Sequence, residues 1–306
     1  MTATPVVLDC DPGHDDAIAL LLALASPEVE LVGVTTVHGN QTLDKTTANA
    51  IRILDLADRD DIPVAAGADR PLVRELVVAS HVHGETGLDG PDLPPPRRAP
   101  SEEHAVDVLA ERSRSGATVV ATGPSTNVAL LLARYSDVRP ERIVLMGGAI
   151  GEGNITPSAE FNVWADPEAA HRVFQSGLDV TMVGLDATHQ AIVTPPVVEL
   201  LRAAGRVGAV VAELVDFYSR FHRRTYPELG GSPMHDPLAL AAVVRPELLR
   251  LEAAHVEVDC SWGAGRGRTN VDLRGRRGSE PNARVAVGVD AAAFLDLLVE
   301  RLAALA

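Results

Sequence analysis

The chain has 306 residues, 46% of them hydrophobic and 23% charged, proportions that exclude a disordered or fibrous protein and suit a globular one with a large buried core. Its 42 Asp+Glu against 27 Lys+Arg give a formal net charge of -15, a field that repels polyphosphate backbones and anionic bilayers and so speaks against nucleic acid or a membrane as partner. The two cysteines, Cys10 and Cys260, support neither a disulfide framework nor a CxxC metal site and read as reduced core residues. The start of the chain shows no basic segment followed by a long apolar one, so the expected location is the cytoplasm.

Over 1–60, short β-branched runs alternate with helical patterns, the signature of βαβ units and a parallel sheet. A strand at 6–8 ends in a turn at 9–13, followed by an Ala- and Leu-rich helix at 15–25, a strand at 31–37, a helix at 42–57 and a strand at 62–66. The centre repeats the alternation: helix 102–114, strand 118–121, helix 127–135, strand 143–146, helix 167–175, strand 180–183. A mostly helical stretch follows over 195–222, then late strands at 251–259 and 284–289, and a terminal helix reaching Ala306. The expected fold is α/β, a single domain over 1–306 with a mostly parallel, Rossmann-like central sheet flanked by helices. Three irregular stretches, 79–101, 147–165 and 226–235, are where ligand-binding loops are sought. Arg266, Arg268, Arg274, Arg276 and Arg277 gather in a Gly-rich segment that reads as a solvated loop or edge hairpin.

Asp9, Asp11, Asp15 and Asp16 crowd the carboxyl end of the first strand, where mutual repulsion needs compensation. Asp15 and Asp16 could cap the helix while Asp9 and Asp11 shape the turn. A hard divalent cation, calcium or magnesium, answers the crowding better, because the donors are oxygens and no His/Cys cluster of zinc type is near. The helix amino terminus adds partial positive charge at the same place.

The run Leu8-Asp9-Cys10-Asp11-Pro12-Gly13-His14-Asp15-Asp16-Ala17 resembles the amino-terminal signature of the inosine-uridine preferring nucleoside hydrolases. The similarity continues in order through Thr35-Thr36-Val37-His38-Gly39-Asn40, Thr122-Gly123-Pro124-Ser125-Thr126-Asn127, Leu145-Met146-Gly147-Gly148, Ala159-Glu160-Phe161-Asn162 and Met234-His235-Asp236-Pro237. It implies the nucleoside hydrolase fold and hydrolysis of a ribonucleoside to ribose and free base.

On that resemblance, calcium is held by Asp11, Asp16, the main-chain carbonyl of Thr122 and Asp236, and Asp11 is the general base. Asp15, Asn40, Asn154, Glu160 and Asn162 surround the ribose hydroxyls. Met146, Phe161 and Asp236 join the substrate-binding set, His83 faces the base, and His235 meets the departing base as catalytic acid. Asp236 could also cap a helix beginning at Pro237. His81 and His83 would point oppositely if their segment were extended. Tyr218, Phe221, His222 and Tyr226 could stack on a base or belong to the core. His14 and Trp164 depart from the family pattern, which expects an apolar and a smaller residue there. A homotetramer or homodimer is usual in the resembled family. Competing readings are a magnesium-dependent phosphatase with an aspartate nucleophile, drawn from Asp9-Cys10-Asp11, and a non-catalytic nucleoside-binding protein.

Overall fold

The computed structural model describes residues 3–305; the expectations at Met1, Thr2 and Ala306 lie outside the described residues. The first units run β1 (Thr4–Cys10), α1 (His14–Ala25), β2 (Val29–Thr36), α2 (Leu43–Leu56) and β3 (Val64–Ala66). A one-turn helix α3 (Ser80–His83) precedes α4 (Ala105–Arg114), β4 (Thr118–Ala121), α5 (Thr126–Arg134) and β5 (Ile143–Met146). Then come α6 (Phe161–Ala165), α7 (Pro167–Phe174), β6 (Val180–Val183), α8 (Leu185–Thr188), β7 (Ile192–Val193) and α9 (Pro195–Arg202). The chain continues through α10 (Gly205–Thr225), β8 (Ser232–Pro233), α11 (His235–Val244), β9 (Leu249–Val258), β10 (Thr269–Asp272), β11 (Ala283–Val289) and α12 (Ala291–Ala303).

Among the described residues nine strands form one sheet in the order β10-β9-β11-β6-β5-β4-β1-β2-β3. All its pairs are parallel except those of β9, which runs antiparallel to β10 and β11. Parallel strands covered on both faces are apolar without alternation. Val6, Val7 and Leu8 of β1, and all of β5, are accordingly buried. On one face α1 packs against α11, α2 and α12, and its run Ile18 to Leu22 is completely inaccessible. β1 has β2 on one side and β4 on the other, so the winding reverses there and leaves a crevice at the carboxyl ends of these strands.

The expected strands and helices are present, with three differences. The helical stretch from 195 is broken into α9 and α10 at Ala203 and Ala204, where Gly205 takes a φ of 78°. All three expected irregular stretches contain short elements: α3, α6, and, within 226–235, a 3-10 turn at Pro227–Leu229 followed by β8. Cys10 is buried in β1, but Cys260 lies beyond the end of β9 and is only half-buried, because the chain there leaves the sheet for an exposed turn. The arginine-rich segment is an edge hairpin, with β10 paired to β9. Among the described residues no helix is long and apolar enough to cross a membrane.

Candidate active site

The acidic turn sits at the carboxyl end of β1, and each aspartate in it has a different set of partners. Asp9 Oδ1 accepts from Thr35 Oγ1 at 2.7 Å and Asn127 Nδ2 at 2.8 Å, which ties β1 to β2 and to α5 behind the crevice. Asp11 Oδ2 accepts from the main-chain amide of Asn40 at 2.6 Å, while its Oδ1 is buried with no partner. Asp16 Oδ1 accepts from Thr122 Oγ1 at 2.8 Å, and its Oδ2 from the amide of Gly13 at 3.0 Å and Asn40 Nδ2 at 2.9 Å. Asp16 therefore fixes the first turn of α1 and joins the loops that follow β2 and β4.

Carboxylate oxygens of Asp15, Asp16 and Asp236 lie within 4.8 Å of one another, all buried. Asp236 is inside the first turn of α11, which starts at His235 after Met234, so it does not cap that helix as the sequence allowed. It is carried instead to the mouth of the crevice from more than 200 positions away.

Glycine lets two loops close on Asp11. A Cβ on Gly39 would fall inside the van der Waals envelope of Asp11 Oδ2, and one on Gly123 would come within 2.7 Å of Oδ1. Gly39 also has a φ of 154°, which a side chain disfavours. Gly39→Ala is expected to displace the Asn40 amide from Asp11, lowering turnover roughly a hundredfold and stability by about 2–4 kcal/mol. Ribose release and urea unfolding read the two effects, and a variant with normal values for both would separate this contact from function.

Among the described residues no cationic side chain forms an ion pair with the carboxylates of the turn. Burial first, and then the neighbouring Asp16 carboxylate, push Asp11 well above the usual carboxylate range and Asp15 up to about 7. Burial, followed by the charges of Asp15, Asp16 and Asp11, pushes Asp236 up as well. Asp9 rises only to about 6, because its bonds from Asn127 and Thr35 offset part of the desolvation. Three buried carboxyls that repel one another, an unpartnered oxygen on a fourth, and no sulfur or imidazole among them form a donor set suited to a hard divalent cation.

The opposite wall is built by the loop after β5. Asn162 Nδ2 donates to the carbonyls of Thr122 at 2.6 Å and Met146 at 3.1 Å, joining the ends of β4 and β5. Glu160 is the N-cap of α6: one oxygen accepts from the amide of Asn162 at 2.8 Å and the other from those of Gly148 at 2.9 Å and Val163 at 3.1 Å. Burial raises its carboxyl to about 7 despite these bonds. Asn154 Oδ1 accepts from the amide of Phe161 at 2.9 Å, so its amide nitrogen is left for a ligand. Asp15, Asn40, His83, Thr122, Met146, Asn154, Glu160, Phe161, Asn162, His235 and Asp236 all line one cavity. Asp11 and Asp16 lie just beneath its floor, linked to Asn40 and Thr122.

Histidines and aromatic rings close the outer half. α3 brings both His81 and His83 to the cavity, so the helical turn replaces the extended segment that would have pointed them apart. His83 is buried, whereas His81 is exposed and meets Phe221 edge-on at 5.7 Å. Tyr218 is 97% buried yet borders the cavity with Phe221, His222 and Tyr226, so the choice between core and site has no single answer there. His14 stacks on Phe217 at 5.2 Å, its Nδ1 lies 3.1 Å from His83 Nδ1, and its Nε2 is 2.8 Å from the carbonyl of Asp89. Burial holds His14 and His222 down to about 4 and takes His83 and His235 well below the ordinary histidine value. Trp164 faces away, with the Arg266 guanidinium 4.1 Å from its ring centroid, which gives one arginine of the basic segment a structural task.

The model of the family described as inosine-uridine preferring nucleoside hydrolase matches residues 6–296. The chain belongs to this family. It is 50% identical to a pyrimidine-specific ribonucleoside hydrolase of Salmonella schwarzengrund and 49% identical to one of Klebsiella pneumoniae, the alignments covering 98% of this chain and 98% and 99% of theirs. A purine-preferring ribonucleoside hydrolase from Gardnerella vaginalis superposes with a TM-score of 0.93 at 35% identity over 99% of both chains. This nucleoside hydrolase therefore cuts the N-glycosidic bond of ribonucleosides with water, and the phosphatase and pure-binder readings fall away.

Several residues that shape the hydrolase site carry no readable signal in the sequence. The Asp89 carbonyl behind His14 and Thr188, whose hydroxyl lies 2.7 Å from His235 Nδ1, act across 75 and 47 positions, whereas Asn127 behind Asp9, 118 positions away, stood in a motif that gave it no role. Glu160 was open to local reading, since a carboxylate just before an apolar run is a plausible helix cap.

Proposed function

We propose that the enzyme hydrolyses pyrimidine ribonucleosides with a calcium ion held by Asp11, Asp16, Asp236 and the Thr122 carbonyl, and with Asp11 as the base. The unpartnered, buried Oδ1 of Asp11 carries the reading: among the described residues it shares with Asp9 Oδ2 the lack of any donor or solvent, but Asp9 is tied behind the crevice by Thr35 and Asn127, whereas Asp11 adjoins Asp16 of the trio of converging carboxyls. Calcium, when bound, neutralises these carboxyls and orders water and ribose hydroxyls beside them.

Asp11 takes a proton from the attacking water as its oxygen bonds to the anomeric carbon, and the pair of the breaking C–N bond passes to the base. Positive charge builds on the ribose, where the carboxyls of Asp15, Asp236 and Glu160 stabilise it. Asp15, Asn40, Asn154 and Asn162 bind the hydroxyls, Met146 and Phe161 pack against the nucleoside, and His83 and His235 address the base. The pyrimidine assignment follows the relatives at 50% and 49% identity, whose names state it, over the purine-preferring one at 35%.

Ribose release from uridine, cytidine and inosine, with and without chelator, tests this. Expected is a kcat/KM for the pyrimidine nucleosides at least about tenfold above inosine, abolished by chelator. A preference for inosine removes the base assignment, and activity indifferent to chelator removes the cation. Because the site is lined with groups that need the hydroxyls as partners, 2'-deoxyuridine is expected to be cleaved about 100- to 10,000-fold less efficiently than uridine. Equal rates would contradict the ribose contacts.

We further place the working form as a homodimer or homotetramer. Leu72, Val73, Leu76, Val77 and Trp262 are exposed, and light scattering measures whether copies associate.

A further inference from the structure

One buried contact lies directly behind His235 and is used by none of the steps above. His235 Nδ1 is 2.7 Å from Oγ1 of Thr188, the last residue of α8. Thr188 is fully buried, and His235 is 8% exposed. The helix that carries Thr188 is itself fixed, since the amide of Leu185 donates to the carbonyl of Gly148 at 2.9 Å. Hydroxyl and ring therefore meet at a set position.

A hydroxyl has one hydrogen to give. Among the described residues Thr188 Oγ1 has no hydrogen-bond partner other than His235 Nδ1. In particular it does not bond back to the preceding turn of its own helix, as buried threonines often do. If Nδ1 carried the ring proton, it would donate to Oγ1, and the threonine hydrogen would be buried without an acceptor. If Nδ1 is bare, the hydroxyl donates to it and both groups are satisfied. The two neutral tautomers are the forms that this hydroxyl distinguishes, and the rings flanking His235 are those of His189 at 5.6 Å and His222 at 6.4 Å. The remaining nitrogen, Nε2, has no protein partner among the described residues, and the ring borders the cavity.

We propose that Thr188 is a positioning residue: its hydroxyl donates to Nδ1 of His235 and thereby keeps the ring proton on Nε2, turned toward the leaving base. This deepens the functional reading above and rests on His235 being the group that meets that base. As the C–N bond breaks, its electron pair enters the base, and a fixed Nε2–H donor stabilises that charge by a hydrogen bond. The proton stays on Nε2 in this step, so His235 acts as a hydrogen-bond donor to the departing base and not as the proton-transferring acid that the resemblance implied.

The test combines a tautomer measurement with a change of leaving group. Nitrogen-15 correlation spectra of the imidazoles, recorded at neutral pH on calcium-loaded enzyme without substrate and assigned with His235→Asn, should show His235 protonated on Nε2. Thr188→Val, which keeps the shape and removes the donor, should move the proton to Nδ1 or leave a mixture, and Thr188→Ser should restore it. On uridine the valine variant should lose about tenfold to a hundredfold in kcat with KM within about twofold. On p-nitrophenyl riboside, whose leaving group departs as a stable anion, it should change by less than about twofold.

A wild-type ring protonated on Nδ1 overturns the proposal, whatever the variants do. An equal loss on both substrates overturns it too, since it would make Thr188 merely structural. A His235→Ala enzyme with undiminished uridine turnover would instead strike the role of His235, leaving the tautomer result intact.

Discussion

Asp11→Asn is expected to lower kcat on uridine by about a thousandfold or more while leaving a folded protein that still binds ribose-like inhibitors. The substitution keeps the size of a side chain that is completely buried, so no cavity or overpacking arises. Its orientation is also dictated. The Asn40 amide donates to Oδ2 at 2.6 Å, and only the oxygen of the new amide can accept that bond. The NH2 group must then occupy the place of Oδ1, the atom that has no hydrogen-bond partner, on a side chain that the Asp16 and Asp15 carboxylates lie near enough to perturb. An amide there can neither receive a proton from water nor donate an electron pair to a cation. Both functions assigned to Asp11 are lost together, while the link to Asn40 survives. Steady-state ribose release, inhibitor titration calorimetry and a thermal melt separate the outcomes. Wild-type turnover in a folded variant would remove Asp11 as the base, and loss of the melting transition would show that its role is structural.

The sequence made the scaffold legible for a physical reason: the central parallel strands β4, β5 and β6 are buried along their whole length and must be short apolar runs between helical segments. Val6 to Leu8, Thr118 to Ala121 and Ile143 to Met146 read directly as strands. The acidic turn was legible because four carboxylates in eight positions demand a counterion wherever the chain goes. What escaped were relations that depend on approach in space. Nothing in Ala187-Thr188-His189 says that this hydroxyl will lie under His235, and nothing near Asp89 says that its carbonyl will meet His14. The helices α3 and α6 escaped as well, at four and five residues, because segments so short take their shape from packing and a cap rather than from periodicity.

Chelation is expected to destabilise the enzyme more at about pH 8 than at about pH 5, because the acidic site is held together by protons when the cation is removed. Burial and mutual repulsion raise Asp11, Asp15 and Asp236 above their unfolded values, Asp15 from 3.8 to about 7. Between the unfolded and folded values the metal-free native state binds more protons than the unfolded chain, so unfolding free energy falls as pH rises through that window. Binding of a divalent cation runs the other way, since ligation needs ionised carboxylates and tightens as protons leave. At several hundred times its dissociation constant, a ligand confined to the native state adds about 3–4 kcal/mol, which for a chain of this size is roughly 5–10 °C in Tm. The difference between calcium-loaded and chelated melts should therefore be small near pH 5 and reach that range near pH 8. Asp9 and Glu160, raised to about 6 and about 7, weaken both forms alike with rising pH, because neither belongs to the converging trio: Asp9 Oδ1 is held by Thr35 and Asn127, and the Glu160 oxygens by main-chain amides. Asp236→Asn removes one of the three converging carboxyls without touching Asp9 or Glu160, so it should shrink the gap at pH 8 while leaving the common slope. A gap of equal size at both pH values, or one that persists undiminished in Asp236→Asn, would place the cation elsewhere.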